Sequence, residues 1–248
     1  ELKATLKRLV KEIFVRERLM LNITCAGGTT FLEKELQELL ESLPSDKTPV
    51  KPQEILCEKK NEGFLDASKV QYVSRAGNFV KKGYSYTGTL RILKVIMGYD
   101  YLWINIRVKG GAYGCMSGFM RNGDAYFTSY RDPNLKSTNE IYEGIPAYLR
   151  AFDADERDMT KYIIGTFGAL DTPLNPEAKG SRSMAAYLEH LTYEEIQKER
   201  DEILTATPAD IRSLSDLIAS ILSDQCLCVV GNEHAIREES GMFTSIQG

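Results

Sequence analysis

The feature that most constrains the fold is a stretch where a helical pattern meets a strand pattern at two glycines. Over Gly88–Lys109 apolar residues recur at helical spacing, namely Leu90, Leu93, Met97, Ile104 and Val108, with Tyr101 filling the gap. Gly110–Gly111 then ends the pattern. Tyr113–Met120 alternates as a strand whose glycines leave room for another backbone, and Asn122–Gly123 predicts a hairpin turn. The sequence therefore predicts a long helix followed by a β-hairpin.

The junction of this helix and strand carries two side chains with useful chemistry. Arg107 falls on the last turn of the predicted helix and Tyr113 begins the strand, so both can face one corner. A guanidinium offers a rigid fork of donors and a phenol offers one hydroxyl, which suits the pair to binding a carbonyl or carboxylate. The residues alone leave a second interpretation open, in which Arg107 compensates the negative end of the helix and Tyr113 packs beside it.

The remaining patterns divide the chain into three parts. Residues 1–46 predict a helix over residues 1–19, a strand at Leu21–Ala26 and a second helix from Thr29. The first helix has one apolar stripe, formed by Leu6, Leu9, Val10, Ile13 and Phe14. Residues 47–64 have the composition of a linker. Residues 65–248 predict one complete domain, which ends in the same helix, strand, glycine order. Residues 1–46 then form the tail of a preceding related domain, unless so common a unit recurs by chance.

Composition excludes several classes of protein. The chain has 248 residues, 43 % of them hydrophobic, and a net charge of -4, which is typical of a globular protein. Basic residues do not cluster with aromatic ones, so we expect no nucleic-acid partner, and no long apolar run predicts a membrane partner. Five cysteines lie mostly within apolar runs, which predicts packed thiols in a reducing compartment, either the cytoplasm or a mitochondrial or plastid matrix.

A complete catalytic set is missing from the sequence. His190 and His234 are the only histidines, and the stretch Val230-Gly-Asn-Glu233-His234 has valine where an inverted zinc motif would have its first histidine. No serine-nucleophile elbow, phosphate-binding loop or Cys/His nucleophile pattern is present. We therefore assign no metal ligand to this chain.

Two motifs give a family resemblance. Gly110-Gly-Ala-Tyr-Gly114 with an Arg six residues before the Tyr, followed by Ser129-Tyr-Arg-Asp-Pro-Asn134, resembles the carboxyl-terminal half of zinc peptidases of the pitrilysin/insulinase family, presequence-protease branch. The resemblance spans most of residues 65–248. It implies an α/β (α+β) fold in two layers, with a mainly antiparallel sheet covered by helices, as in the mitochondrial processing peptidase. It also implies two halves that close around an unfolded peptide and degrade it.

The resemblance also implies roles for individual residues. Arg107 would hold a backbone carbonyl of the substrate, Tyr113 would donate to the scissile carbonyl as it becomes an oxyanion, and Gly110 and Gly111 would admit an extended peptide. Zinc and the general-base Glu would come from the amino-terminal half of the same polypeptide, which is this chain's partner together with the peptide. The fragment alone is then expected to be inactive.

Two alternatives from other functional classes remain at the level of sequence. The chain could be a non-catalytic structural or peptide-binding member of the same superfamily, whose partner half has lost its zinc ligands. It could also be an unrelated α/β interaction domain, in which Arg107 and Tyr113 would be packed in the core.

Overall fold

A computed structural model of the protein describes residues 1–49, 51 and 58–248. The predicted linker over residues 47–64 therefore lies partly outside the described residues. Cys57 lies wholly outside them. The described chain forms two compact units. One comprises the amino-terminal residues together with Pro173–Thr192, and the other comprises the residues from 58 to Thr172 and Tyr193–Gly248.

The larger unit is built on a six-stranded sheet. Its strands are β1 (Glu62–Asp66), β2 (Gln71–Asn78), β3 (Gly114–Phe119), β4 (Asp124–Asp132), β5 (Cys226–Asn232) and β6 (Ser245–Gln247). They lie in the order β3-β4-β2-β5-β1-β6. The pairs β3–β4, β4–β2 and β2–β5 are antiparallel, whereas β1 pairs in parallel with both β5 and β6. The prediction of a mainly antiparallel sheet is confirmed.

Helices cover one face of this sheet. Those of the larger unit are α3, which starts at Thr89, α4 (Lys136–Glu143), α5 (Ile145–Arg150), α6 (Glu156–Leu170), α8 (Tyr193–Leu204), α9 (Pro208–Ser213), α10 (Ser215–Leu222) and α11 (Glu233–Glu238). Val73, Phe127 and Val229 are fully buried beneath them. Tyr72 and Val230, their strand neighbours, are about 40 % exposed on the other side, which we call the open face. This alternation is the reason that a single hydrophobic core forms on one side of the sheet.

Helix α3 confirms the predicted long helix but changes its buried face. It runs over Thr89–Ile96 and continues in wider π-helical turns over Met97–Tyr101 and Trp103–Lys109. After Met97 the buried residues are Leu102 and Ile106, whereas Ile104 and Val108 are exposed. The prediction for those two residues is wrong because a π turn adds one residue, so the buried positions Met97 and Leu102 are five residues apart.

The glycines of β3 have another role than the one predicted. Gly114 pairs with Tyr130 and Gly118 with Tyr126 on β4. A Cβ atom on Gly114 would lie 2.2 Å from a ring carbon of Tyr130, and one on Gly118 would lie 2.4 Å from a ring carbon of Tyr126, so either would collide with the ring. The space above these glycines is therefore filled by aromatic rings from the neighbouring strand and not by another backbone, an arrangement that protects a glycine-containing edge strand.

The smaller unit contains α1 (Leu2–Ile13), α2 (Glu33–Ser42) and α7 (Pro176–Leu188). The predicted strand over Leu21–Ala26 is not formed, because no described strand lies beside it; the Asn22 amide instead donates to the carbonyl of Gly180 in α7 (3.1 Å). The predicted helix over residues 1–19 is confirmed in part, as α1 and a short turn at Arg16–Arg18. Its apolar stripe is exposed.

Local signals and thiols give a mixed outcome. Thr207 caps α9 in a reciprocal capping box with Asp210, as its position before Pro208 predicts.

Among the described cysteines, Cys115 and Cys226 are half-buried, but Cys25 and Cys228 are exposed. The expectation of packed thiols is wrong for those two, because Cys228 lies on the open face and Cys25 in an irregular segment. No described helix has the length and apolar character needed to cross a membrane.

Candidate active-site corner

The turn between α3 and β3 explains why two consecutive glycines are needed. Gly111 has φ of 80°, a conformation that favours glycine, and its N–H donates to the Arg107 carbonyl (3.0 Å). The N–H of Ala112 donates to the Ile106 carbonyl (3.1 Å). A Cβ at Gly110 would lie 2.5 Å from that same carbonyl oxygen. Helix termination thus accounts for both glycines, and their contact with substrate stays a prediction.

Arg107 is held at this corner by three contacts. Its Nη1 donates to the main-chain carbonyl of Tyr113 (2.5 Å). Its Cζ lies 4.3 Å from the centre of the Trp103 ring and 5.7 Å from the centre of the Tyr113 ring. Stacking on Trp103 restricts a long side chain that would otherwise move freely. Sequence reasoning overlooked Trp103, although its position four residues before Arg107 on a helix was a usable signal.

Tyr113 is 58 % exposed and is not packed in the core. The edge of its ring meets the Tyr130 ring, with centroids 5.3 Å apart, and its N–H donates to the Arg131 carbonyl (3.3 Å). Its hydroxyl has no hydrogen-bond partner among the described residues. The structure thus brings Arg107 and Tyr113 together and leaves the phenol accessible to a ligand.

A third side chain, which the sequence analysis names only as part of the Ser129–Asn134 motif, reaches the same ring. Arg131 places its Cζ 5.8 Å from the centre of the Tyr113 ring. Its φ is 48°, in the left-handed region that non-glycine residues seldom adopt. We define the candidate corner as Trp103, Arg107, Tyr113, Tyr130 and Arg131.

The residues after Arg131 hold the glycine turn in place. Asn134 donates its amide to the carbonyl of Gly110 (2.6 Å). Buried Asp132 accepts from the Asn134 N–H (2.9 Å) and from the Thr138 hydroxyl (2.7 Å). The end of β4, the start of α4 and the helix-terminating turn are therefore one hydrogen-bonded assembly. The Asp-Pro-Asn motif has a structural role behind the corner.

The corner carries positive charge in a chain that is negative overall. Within the described ranges, Arg107, Arg131 and the neighbouring Lys109 form no ion pair with a carboxylate. Burial raises the pKa of the adjacent Cys115 thiol to about 11, although the positive charge of Arg107 opposes the shift. Cys115 is therefore a neutral thiol at ordinary pH, and the corner keeps its uncompensated positive charge.

The described residues include no group of three or more His, Cys, Asp or Glu side chains that could hold a metal ion. Glu233 pairs with Arg237 (2.8 Å) on α11, and His234 beside it is exposed. The corner itself offers guanidinium and phenol donors, which bind anions and carbonyl oxygens and not cations. A zinc ion does not fit the groups present here.

Comparison with known proteins places this geometry in a family. Residues 61–232 match the model described as the PreP C-terminal domain. The chain is 50 % identical over 189 residues to Protein HypA of Clostridium perfringens, a match covering 76 % of the chain and 19 % of the relative. It is 33 % identical over 220 residues to presequence protease 1, chloroplastic/mitochondrial, of Arabidopsis thaliana, covering 88 % of the chain and 20 % of the relative. The chain thus spans about a fifth of these curated relatives.

Solved structures show the same fold at low sequence identity. The peptidase M16 inactive domain from Pseudomonas fluorescens superposes with a TM-score of 0.58 at 14 % identity, covering 83 % of this chain and 51 % of that one. Pitrilysin superposes with a TM-score of 0.54 at 14 % identity, covering 81 % of this chain and 22 % of that one. With the family model matched over most of the sheet unit, the chain belongs to the presequence-protease family of pitrilysin-like peptidases, as its C-terminal domain.

Proposed function

We propose that this chain is the carboxyl-terminal, non-zinc-binding portion of a zinc endopeptidase that degrades unfolded peptides in a closed chamber. Arg107 and Tyr113 supply donors that hold the substrate at a zinc site contributed by the amino-terminal half. The observation that carries this proposal is an exposed phenol, without a hydrogen-bond partner among the described residues, fixed beside a stacked guanidinium. Membership in a family of peptidases supports it.

The two side chains have distinct tasks in this proposal. The Arg107 guanidinium uses one N–H on the Tyr113 carbonyl and keeps further donors for a backbone carbonyl of the peptide. The Tyr113 hydroxyl donates to the oxygen of the scissile carbonyl, where negative charge develops when water attacks. A donor placed in advance at that oxygen stabilises the transition state more than the ground state.

The zinc ion belongs, in this proposal, to the part of the polypeptide that precedes this chain. This chain's own contribution is to bind and orient the peptide through Arg107 and Tyr113. Zinc would supply an activated water at the amino-terminal half. The peptide and that half are thus the two proposed partners.

Replacing the phenol tests the role of Tyr113 directly. In the full-length enzyme, Tyr113→Phe should lower kcat for an unstructured peptide by roughly tenfold or more, the scale of losing one oxyanion donor. The ring and its contacts with Arg107 and Tyr130 are retained, so folding should be unchanged. Tyr99→Phe, at a tyrosine that is 72 % exposed on α3, is the matched control and should leave kcat unaltered. Equal activity of Tyr113→Phe and the native enzyme would contradict the proposal.

A second candidate function is a non-catalytic, peptide-binding member of the superfamily. It is favoured by the structural similarity to a domain described as inactive. Mixing this chain with the separately produced amino-terminal portion, zinc and a labelled unstructured peptide distinguishes the two. Cleavage that neither piece gives alone supports the peptidase, whereas peptide binding without cleavage supports the scaffold.

A further inference from the structure

A β-bulge brings Arg131 to the candidate corner. Val73 of β2 pairs with Ser129 of β4, but Gln71 pairs with Asp132, so one residue of β2 faces two of β4. The two are Tyr130 and Arg131. Bulges of this kind redirect side chains and are common beside active sites.

The bulge changes which side of the sheet Arg131 occupies. Along β4, residues alternate between buried and open-face positions up to Ser129, which is buried, and Tyr130, which is not. A regular strand would bury Arg131 and expose Asp132. The extra residue reverses this, so that Arg131 is exposed at the Tyr113 ring and Asp132 is fully buried beneath α4.

The backbone of Arg131 is strained, which points to a function for its side chain. At φ of 48° a glycine or asparagine would be the ordinary choice, because a side chain at Cβ crowds the backbone there. The guanidinium makes no ion pair with any described carboxylate, and Asp132 beside it is already occupied by Asn134 and Thr138. A strained, exposed arginine without an acidic partner is thus held over the phenol.

We infer that Arg131 is a specificity-determining residue that binds a carboxylate of the bound peptide near the cleaved bond. The inference rests on the proposed function, in which Arg107 holds the main chain and leaves Arg131 for a second group. Arginine binds carboxylates through two parallel N–H bonds, and a carboxylate is the anion that an unmodified peptide carries. That carboxylate is an acidic side chain or the free carboxyl terminus.

Two pairs of peptides identify the source of the carboxylate. In the first pair, one peptide has Glu at each position flanking the cleaved bond and the other has Gln there. In the second pair, one peptide has a free carboxyl terminus and the other has the amide. For the full-length native enzyme, one pair should show a kcat/KM roughly tenfold higher for the charged member, in keeping with a charge-assisted hydrogen bond. The preference should shrink at high ionic strength.

Three variants separate this role from a structural one. Arg131→Gln should remove the preference by lowering kcat/KM for the charged peptide about tenfold more than for the neutral one. Arg131→Gly should also remove it but keep or raise the melting temperature, since glycine suits the backbone at this position. The control Arg150→Gln removes the same charge from exposed Arg150 on α5 and should keep the preference.

Several outcomes would overturn the inference. They are a native enzyme with no preference in either pair, an Arg131→Gln variant that slows charged and neutral peptides equally, and a loss of preference in Arg150→Gln. Tyr113→Phe should slow all peptides without altering their ratio, so failure of the proposed function is seen separately. If no peptide is cleaved, titration calorimetry measures the binding affinity of each peptide. The ratio of affinities for the charged and neutral members then replaces the ratio of kcat/KM.

Discussion

At the scale of single residues, the site depends on aromatic rings that lie over glycines. Tyr130, which contacts the Tyr113 ring, lies over Gly114, where any side chain would collide with it. Arg107 and Tyr113 could be found from the sequence because a helix end and a strand start are visible there. Arg131 could not, because a bulge is a property of the pairing between two strands and leaves no local pattern.

Adding one methyl group beneath Tyr130 tests this arrangement. Gly114→Ala should force the ring to move and lower the free energy of unfolding by about 1–3 kcal/mol, the usual cost of overpacking. Chemical denaturation monitored by circular dichroism measures the change. Gly168→Ala in α6, where no atom lies within 4 Å of the new Cβ, should instead stabilise by up to about 1 kcal/mol. Equal effects of the two changes would show that the ring is free to move aside.

At the scale of elements, buried charges join helices to the sheet. Glu199 of α8 is buried and forms ion pairs with Arg91 of α3 and Arg121 of the β3–β4 turn. It also accepts a hydrogen bond from the Tyr86 hydroxyl. The existence of α3 could be predicted from its period, since a long amphipathic stripe is a strong signal. Which residues it buries after Met97 could not, because the π turn arises from packing. The strand expected over Leu21–Ala26 does not form because no described strand lies beside it. A local sequence pattern does not reveal whether a partner strand is present.

Asp224, which follows α10, gives a pH-dependent test of these links. Burial raises its pKa, but hydrogen bonds from Lys59, Lys82 and the N–H of Asn78 outweigh that effect and hold the pKa below its usual value of 3.8. A lowered pKa in the folded state stabilises the fold above the unfolded value, and this stability is lost as pH falls.

Asp224→Asn should therefore cost about 2 kcal/mol at pH 7, and its cost should shrink as pH falls below 3.8. Urea unfolding at a series of pH values gives both numbers. Asp153→Asn, at an exposed carboxylate, is the control and should show little effect at any pH. A cost for Asp224→Asn that does not vary with pH would contradict the ion-pair explanation.

At the scale of the whole molecule, the family resemblance implied the sheet with its helical cover, whereas the grouping of segments that are distant in the sequence has no local signal. Pro173–Thr192 packs with the amino-terminal residues although it lies between helices of the sheet unit. Such long-range grouping depends on tertiary contacts, and periodicity reports only local faces. The exposed stripe of α1 accords with our proposal that residues 1–46 belong to a preceding domain, whose core would cover it.

An uncovered apolar stripe should make the isolated chain associate with itself. Leu6, Val10 and Ile13 are all more than half exposed, which is unusual for a helix face of this kind. Changing Leu6 and Ile13 together to serine should reduce concentration-dependent association, as measured by sedimentation velocity. The same double change at Ile164 and Leu188, two exposed apolar residues elsewhere, is the control. Unaltered sedimentation of the first variant would show that the stripe does not drive association.

The widened turn of α3 sets the direction in which Arg107 projects. Each residue of an α-helix advances its side chain by about 100° around the axis, whereas a π turn fits one additional residue into a single wider turn, so that the residues after it keep their face. Forcing ordinary α-helical winding on Met97–Tyr101 without removing a residue would rotate the rest of the helix and carry the guanidinium away from Tyr113, whereas deleting one residue there would leave its direction nearly unchanged. The register of one helical turn, far from the phenol along the chain, thus decides whether the two donors ever meet.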